Sequence, residues 1–200
     1  RRQGSPLDNI LTMTASLLYS VPVFWLGLIA IIAFGVKLHW LPTSGMNTVM
    51  GPTSGWAFVL DLVRHLLLPA STLMLVWVFP TFYRIARSSV LEVLREDFMV
   101  TARAKGLPQR VIFFRHALRN ALLPTVTMIG LSLGLAVSGA LLTETVFSWP
   151  GMGRLMYEGI FRRDYPLLMG IFIFTSISVV IVSLLTDILY RVLDPRVDLN

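Results

Sequence analysis

Charged residues are absent between Asp8 and Lys37, Arg64 and Arg84, Arg119 and Glu144, and Asp164 and Asp187. Each interval holds about 18 residues or more, enough for a helix rising 1.5 Å per residue to cross about 30 Å of hydrocarbon. The pattern predicts four membrane-spanning helices, at 9–36, 66–83, 120–143 and 165–186. Pro22 lies inside the first and predicts a bend near Val21, because proline lacks an N–H and its ring clashes with the preceding turn. The second contains Pro69 and Pro80 and is expected to run on into an aqueous helix, since Leu91, Leu94, Phe98 and Ala102 recur at helical spacing. Gly106 ends that helix and Pro108 starts another, whose apolar stripe is Val111, Phe114 and Leu118. The result is a helix, Gly-x-Pro, helix hairpin over 84–119.

Between the first two spans, Pro42, Gly45, Gly51, Pro52 and Gly55 break regular structure, while Trp40 and Trp56 suit the membrane boundary, so 37–56 reads as an interfacial loop. In the third span Gly130 and Gly134, with Ser138 next in the row, form a small-residue face for close helix approach. Ordinary bundle packing and a specific subunit seam both fit that face. Pro195 stops the last helix.

A hydrophobic fraction of 55% and a mean hydropathy of +0.72 exceed what a soluble domain carries, and agree with a lipid solvent. The net charge of +6 lies between apolar spans instead of on a soluble surface, so it reports orientation and not nucleic-acid binding. With the N-terminus inside, Lys and Arg divide twelve inside to five outside, which makes 84–119 and the C-terminus cytoplasmic. The chain opens Arg1-Arg2 without an initiator Met, and reads as a fragment of a longer protein.

Catalytic spacing is absent. No phosphate-binding Gly-x-x-x-x-Gly-Lys-Ser/Thr occurs, and in the nearest stretch, 45–53, Pro52 stands where the lysine should be. His39, His65 and His116 form no ligand set, and there is no cysteine, so no metal or other cofactor is expected. Ser138, Ser176 and Ser178 lie in spans, but no Lys or His at lipid depth is available as a base, which disfavours an intramembrane peptidase. Glu144 and Asp187 close the third and fourth spans, where a structural role is favoured over a functional one. The hairpin is acidic early (Glu92, Glu96, Asp97) and basic late (Arg103, Lys105), as the helix dipole prefers. Its apolar row asks for a partner.

The stretch Thr101-Ala102-Arg103-Ala104-Lys105-Gly106-Leu107-Pro108, followed by Arg115-His116-Ala117-Leu118-Arg119-Asn120-Ala121-Leu122-Leu123-Pro124, resembles the EAA loop of binding-protein-dependent ABC importers. It is most similar to the dipeptide/oligopeptide/nickel permease family. Val100, Thr101 and Ala102 occupy the acidic-Ala-Ala places, so the usual glutamate is missing here. Val21-Pro22-Val23-Phe24-Trp25-Leu26-Gly27, Leu41-Pro42-Thr43-Ser44-Gly45, Glu144-Thr145-Val146-Phe147-Ser148-Trp149-Pro150-Gly151-Met152-Gly153 and the tail 187–196 look like the same family.

The resemblance implies one all-α domain over 1–200, N-terminally truncated: a polytopic membrane bundle like the transmembrane domain of a type I importer, with cytoplasmic coupling helices. It implies a non-catalytic permease subunit in a bacterial or archaeal cytoplasmic (inner) membrane, importing a small solute, with di- or oligopeptides preferred and nickel and glutathione left open. ATP hydrolysis is expected in partner ATP-binding subunits, beside a second permease in a heterodimer, an extracytoplasmic solute-binding protein and membrane lipid. The coupling residues would be Leu91, Leu94, Phe98, Thr101, Ala102, Arg103, Lys105, Gly106, Leu107 and Pro108. Trp149, Gly151 and Gly153 lie near the expected binding-protein dock, although a plain membrane-surface helix fits 148–166 equally. An intramembrane enzyme and a membrane-anchored scaffold stand as the other classes, which co-purification separates.

Overall fold

The computed structural model describes residues 4–106 and 108–193, and all regular structure among them is helical. These residues fall into two compact units, the first drawn from Arg1–Pro80 and Ala136–Ser176, the second from Thr81–Leu135 and Ile177–Asn200.

In the first unit, α1 (Pro6–Ser20) starts at Ser5, whose side chain accepts from the Asp8 amide, and ends where Val21 and Pro22 are extended. Proline disfavours helical backbone in the residue before it, so the chain turns there. α2 (Val23–Ala30) continues as a wider π-helical stretch, Ile31–Lys37, and the axis from Val23 to Lys37 is bent 97° from that of α1. The expected bend is present but is near a right angle. Each arm has 15 residues, about 22 Å, so neither alone covers the hydrocarbon. The interval 9–36 is therefore a broken pair and not one straight helix.

α3 (Gly55–Leu73), a π stretch (Met74–Val78) and α4 (Phe79–Val93) make one continuous helix of 39 residues. It extends past both ends of the expected 66–83. The π stretch explains how it tolerates Pro80: a proline ring clashes with the carbonyl four residues back, here Val76, and a wider turn at that point relieves the contact. α1 packs on this stretch, and the buried row Leu68, Thr72 and Val76 lies along the same helix.

The third interval differs most from expectation. α8 (Leu123–Ala136) has 14 residues, about 21 Å, and 137–140 are not helical, with Gly139 at φ +86°. α9 (Leu141–Val146) and α10 (Met152–Arg162) follow. Absence of charge predicted one helix to Thr143, but helical backbone stops at Ala136, and Gly139 beyond it is left-handed. α11 (Tyr165–Leu193) begins where expected, and its Tyr165–Thr186 part is long and apolar enough to cross a membrane while exposing most of its apolar side chains. Among the described residues, two helices meet that test alone and the bent α1–α2 pair makes a third if counted as one span.

Candidate functional site

In the second unit the hairpin closes on its own core. α4 stops at Val93, the chain turns through Leu94 to Glu96, and α5 (Asp97–Ala104) begins with Glu96 extended and Asp97 in its first turn. Acidic groups favour a helix N-terminus, so the charge pattern that looked like one dipole-matched helix marks the start of a second. The row Leu91, Leu94, Phe98, Ala102 consequently does not lie on one face. Met99, Ala102, Ile112 and Ala117 form a buried cluster, with Val93 and Leu94 packed against it, and Met99 is 0% exposed.

Ala102 is thus buried in the hairpin's interior, and Leu94 is half-buried against it. Phe98 (40% exposed) and Val100 (59%) point outward together with Thr101, Arg103, Lys105 and Gly106. Beside them lies an open groove of about 420 Å³ lined by Ser88, Leu91, Glu92, Arg95, Glu96 and Asp97.

Gly106 ends α5 at φ +71°, with nothing near the place a Cβ would occupy, and Pro108 caps the next helix. Leu107 lies outside the described residues. That helix runs as α6 (Gln109–Val111), a π stretch (Ile112–Ala117) and α7 (Leu118–Ala121). A π turn brings residues five apart onto one face, which is why Ile112 and Ala117 are buried. Of the expected stripe, Phe114 is exposed and Val111 and Leu118 are half-buried. On α8, Gly130 meets Thr186 of α11, where a Cβ would collide with the threonine methyl, and Gly134 lies against Val179. The small-residue face is filled from within the chain. Ser138 falls beyond the end of α8 and does not continue the row.

The first unit holds an arrangement that spacing did not reveal. Glu144, 8% exposed, accepts through Oε1 from the Ala140 amide at 2.8 Å and through Oε2 from the Arg154 amide at 2.7 Å. One carboxylate therefore caps the N-termini of α9 and α10 together, where exposed amides favour negative charge. Glycine makes room for it: a Cβ on Gly151 would overlap the carboxyl group, one on Gly139 would lie 2.7 Å from Oε1, and one on Gly153 2.8 Å from the Leu141 nitrogen. Gly153 is buried and Gly151 half-buried against this carboxylate, so both build the corner. The Trp149 amide donates to the Glu144 carbonyl at 2.8 Å, and its side chain is half-buried. This structural role for Glu144 agrees with the one its position favoured.

Three of the stretches that carry the family resemblance meet at Phe147, which is 2% exposed. A Cβ on Gly27 would stand 3.2 Å from its ring, and its carbonyl accepts from the Gly45 amide at 2.8 Å. Thr43 lies over Gly35, where a Cβ would approach its methyl to 2.6 Å.

A comparison with known proteins matches residues 1–199 to the model of the family described as "Binding-protein-dependent transport system inner membrane component". The chain is similar to the Di/tripeptide transport system permease protein DppB of Pseudomonas aeruginosa, 44% identical over 98% of this chain and 62% of that protein. It is also similar to the Dipeptide transport system permease protein DppB of Escherichia coli K12, 39% identical over 98% of this chain and 62% of that protein. The Oligopeptide transport system permease protein AppB of Bacillus subtilis is 38% identical over 99% of this chain and 61% of its own length. The chain thus spans a little over three fifths of the relatives it matches. Nearly end-to-end agreement, over a helical chain in which three of the resembling stretches meet at one buried residue, places this protein in the family of binding-protein-dependent transport system inner membrane components.

Proposed function

We propose that this chain is the greater part of a translocation subunit of an ATP-driven importer for di- or oligopeptides in the cytoplasmic membrane. The observation that carries the reading is the match over 1–199, together with relatives whose names specify peptide transport. The subunit itself is non-catalytic, ATP being hydrolysed by separate ATP-binding subunits. A second permease subunit completes the pathway, and an extracytoplasmic binding protein delivers the solute.

The 84–119 hairpin is the coupling element, on the cytoplasmic side. The geometry supports a contact made by Phe98, Val100, Thr101, Arg103 and Lys105 with the Gly106 bend, beside the groove of Leu91, Glu92, Glu96 and Asp97. Leu94 and Ala102 support that surface from beneath. Because Met99, Ile112 and Ala117 join the two arms into one packed body, a push on α5 moves the 109–121 helix with it. The deciding assay uses the full-length subunit, reconstituted with its ATPases, partner permease and binding protein. ATP hydrolysis should rise with peptide-loaded binding protein over empty binding protein, and equal rates would overturn the assignment. Membrane-impermeant thiol reagents should label cysteines placed at Arg103 and Lys105 from the cytoplasmic side alone; labelling from outside would remove the coupling route.

A further inference from the structure

From Leu38 to Leu60 the sequence contains no charged residue, yet Trp40, Met46, Val49, Met50 and Trp56 are all exposed. The most exposed of these, Val49 (88%) and Met50 (102%), sit at the tip of a tight turn in which the Gly51 amide donates to the Thr48 carbonyl at 2.9 Å. Met50 adopts φ +61°, a left-handed conformation that a non-glycine side chain occupies only when its surroundings impose it. Asp61 of α3 accepts from the Thr48 amide at 2.7 Å and from its hydroxyl at 2.6 Å, and the Gly45 amide is tied to the Phe147 carbonyl. The turn is thus held from its N-terminal side, at Gly45 and Thr48.

The Asp61 clamp also sets a height. Asp61 lies about 9 Å along the helix from Gly55, so the turn is folded back beside the helix instead of standing off its end. The uncharged run of α3 begins at Leu66, about 7.5 Å further on. The headgroup region beside the hydrocarbon is about 5–7 Å deep, so a turn clamped at Asp61 sits at its outer edge. An uncharged segment with two large apolar side chains at its tip is stable at that depth and unfavourable in water.

We propose that the Thr48–Gly51 turn is a lipid anchor: Val49 and Met50 enter the headgroup layer, and the Asp61 to Thr48 clamp holds them there. The anchor rests on membership in a membrane family and on this geometry, and not on which solute is carried. The test places a nitroxide label on Met50→Cys in the full-length subunit, assembled with its partners in nanodiscs of phosphatidylethanolamine and phosphatidylglycerol. Thr53→Cys, three residues on and exposed, serves as the control. Collisions with oxygen should exceed those with a water-soluble nickel chelate at position 50, and the ratio should invert at 53. Thr48→Val, which removes only the hydroxyl half of the clamp, and Asp61→Asn should each shift position 50 toward the chelate, the second more strongly. Dominance of the chelate at 50 in the unaltered clamp would put the tip in water. Shielding from both reagents would show a protein surface over it. Either result overturns the anchor.

Discussion

Replacing Glu144 by Gln changes one atom and tests the corner between α9 and α10 directly. The two oxygens accept from different amides, at 2.8 and 2.7 Å, in a site shielded from solvent. Glutamine retains one acceptor and turns an NH2 group toward the other amide, so one hydrogen bond is lost, the other loses its charge, and a buried donor has no partner. A hydrogen bond to a charged group contributes about 1.5–3 kcal/mol, and an unsatisfied buried donor costs about 1–3 kcal/mol. A net loss of about 3 kcal/mol follows, roughly a hundredfold in the unfolding constant. The assay is reversible unfolding of the detergent-solubilised full-length subunit, followed by tryptophan fluorescence. Glu144→Asp should not rescue, because a side chain one methylene shorter cannot span both amides. Gly153→Ala should be comparably destabilised, since its Cβ would stand 2.8 Å from the Leu141 nitrogen. Stability equal to the parent in Glu144→Gln would mean that these amides find other acceptors, and the account of the corner would be wrong.

At Gly106 the backbone and not the space is restrictive: Gly106→Asn should leave the hairpin folded, whereas Gly106→Pro, locked near φ −65°, should disrupt it, as protease sensitivity of the loop will report. A Cβ at Gly106 meets nothing within 4 Å, so loss of coupled ATP hydrolysis in a folded Gly106→Asn variant would locate a partner surface there, and retained coupling would place the contact elsewhere. Met99→Ala should destabilise the hairpin by about 2–5 kcal/mol through the cavity it leaves, measured by hydrogen exchange across 93–121. Gly130→Ala should lose about 1–3 kcal/mol by collision with Thr186, and Thr186→Ala should recover part of that loss; additive effects in a double-mutant cycle would contradict the close approach.

Much of this molecule is decided by where charge is missing. The intervals before Arg84 and after Asp164 are long apolar helices because lipid leaves backbone groups no partner but each other, and that pressure acts on composition alone. The bend of the hairpin was equally legible, since Gly106 and Pro108 act through their own backbone restrictions. What composition leaves open is whether a charge-free interval is one helix. Pro22 turned the first through 97°, and the third stopped at Ala136 with Gly139 left-handed beyond it, because residues outside helical backbone override a long apolar run.

Facing was decided only in three dimensions. A periodic row assumes one helix and one pitch, but the turn at Leu94 to Glu96 and the π stretch Ile112–Ala117 changed both, and Leu94 and Ala102 went inward. The Glu144 corner and the Asp61 clamp were invisible in sequence for a related reason. Each joins a side chain to backbone amides, and backbone amides are the same at every position until folding brings particular ones within reach of a carboxylate.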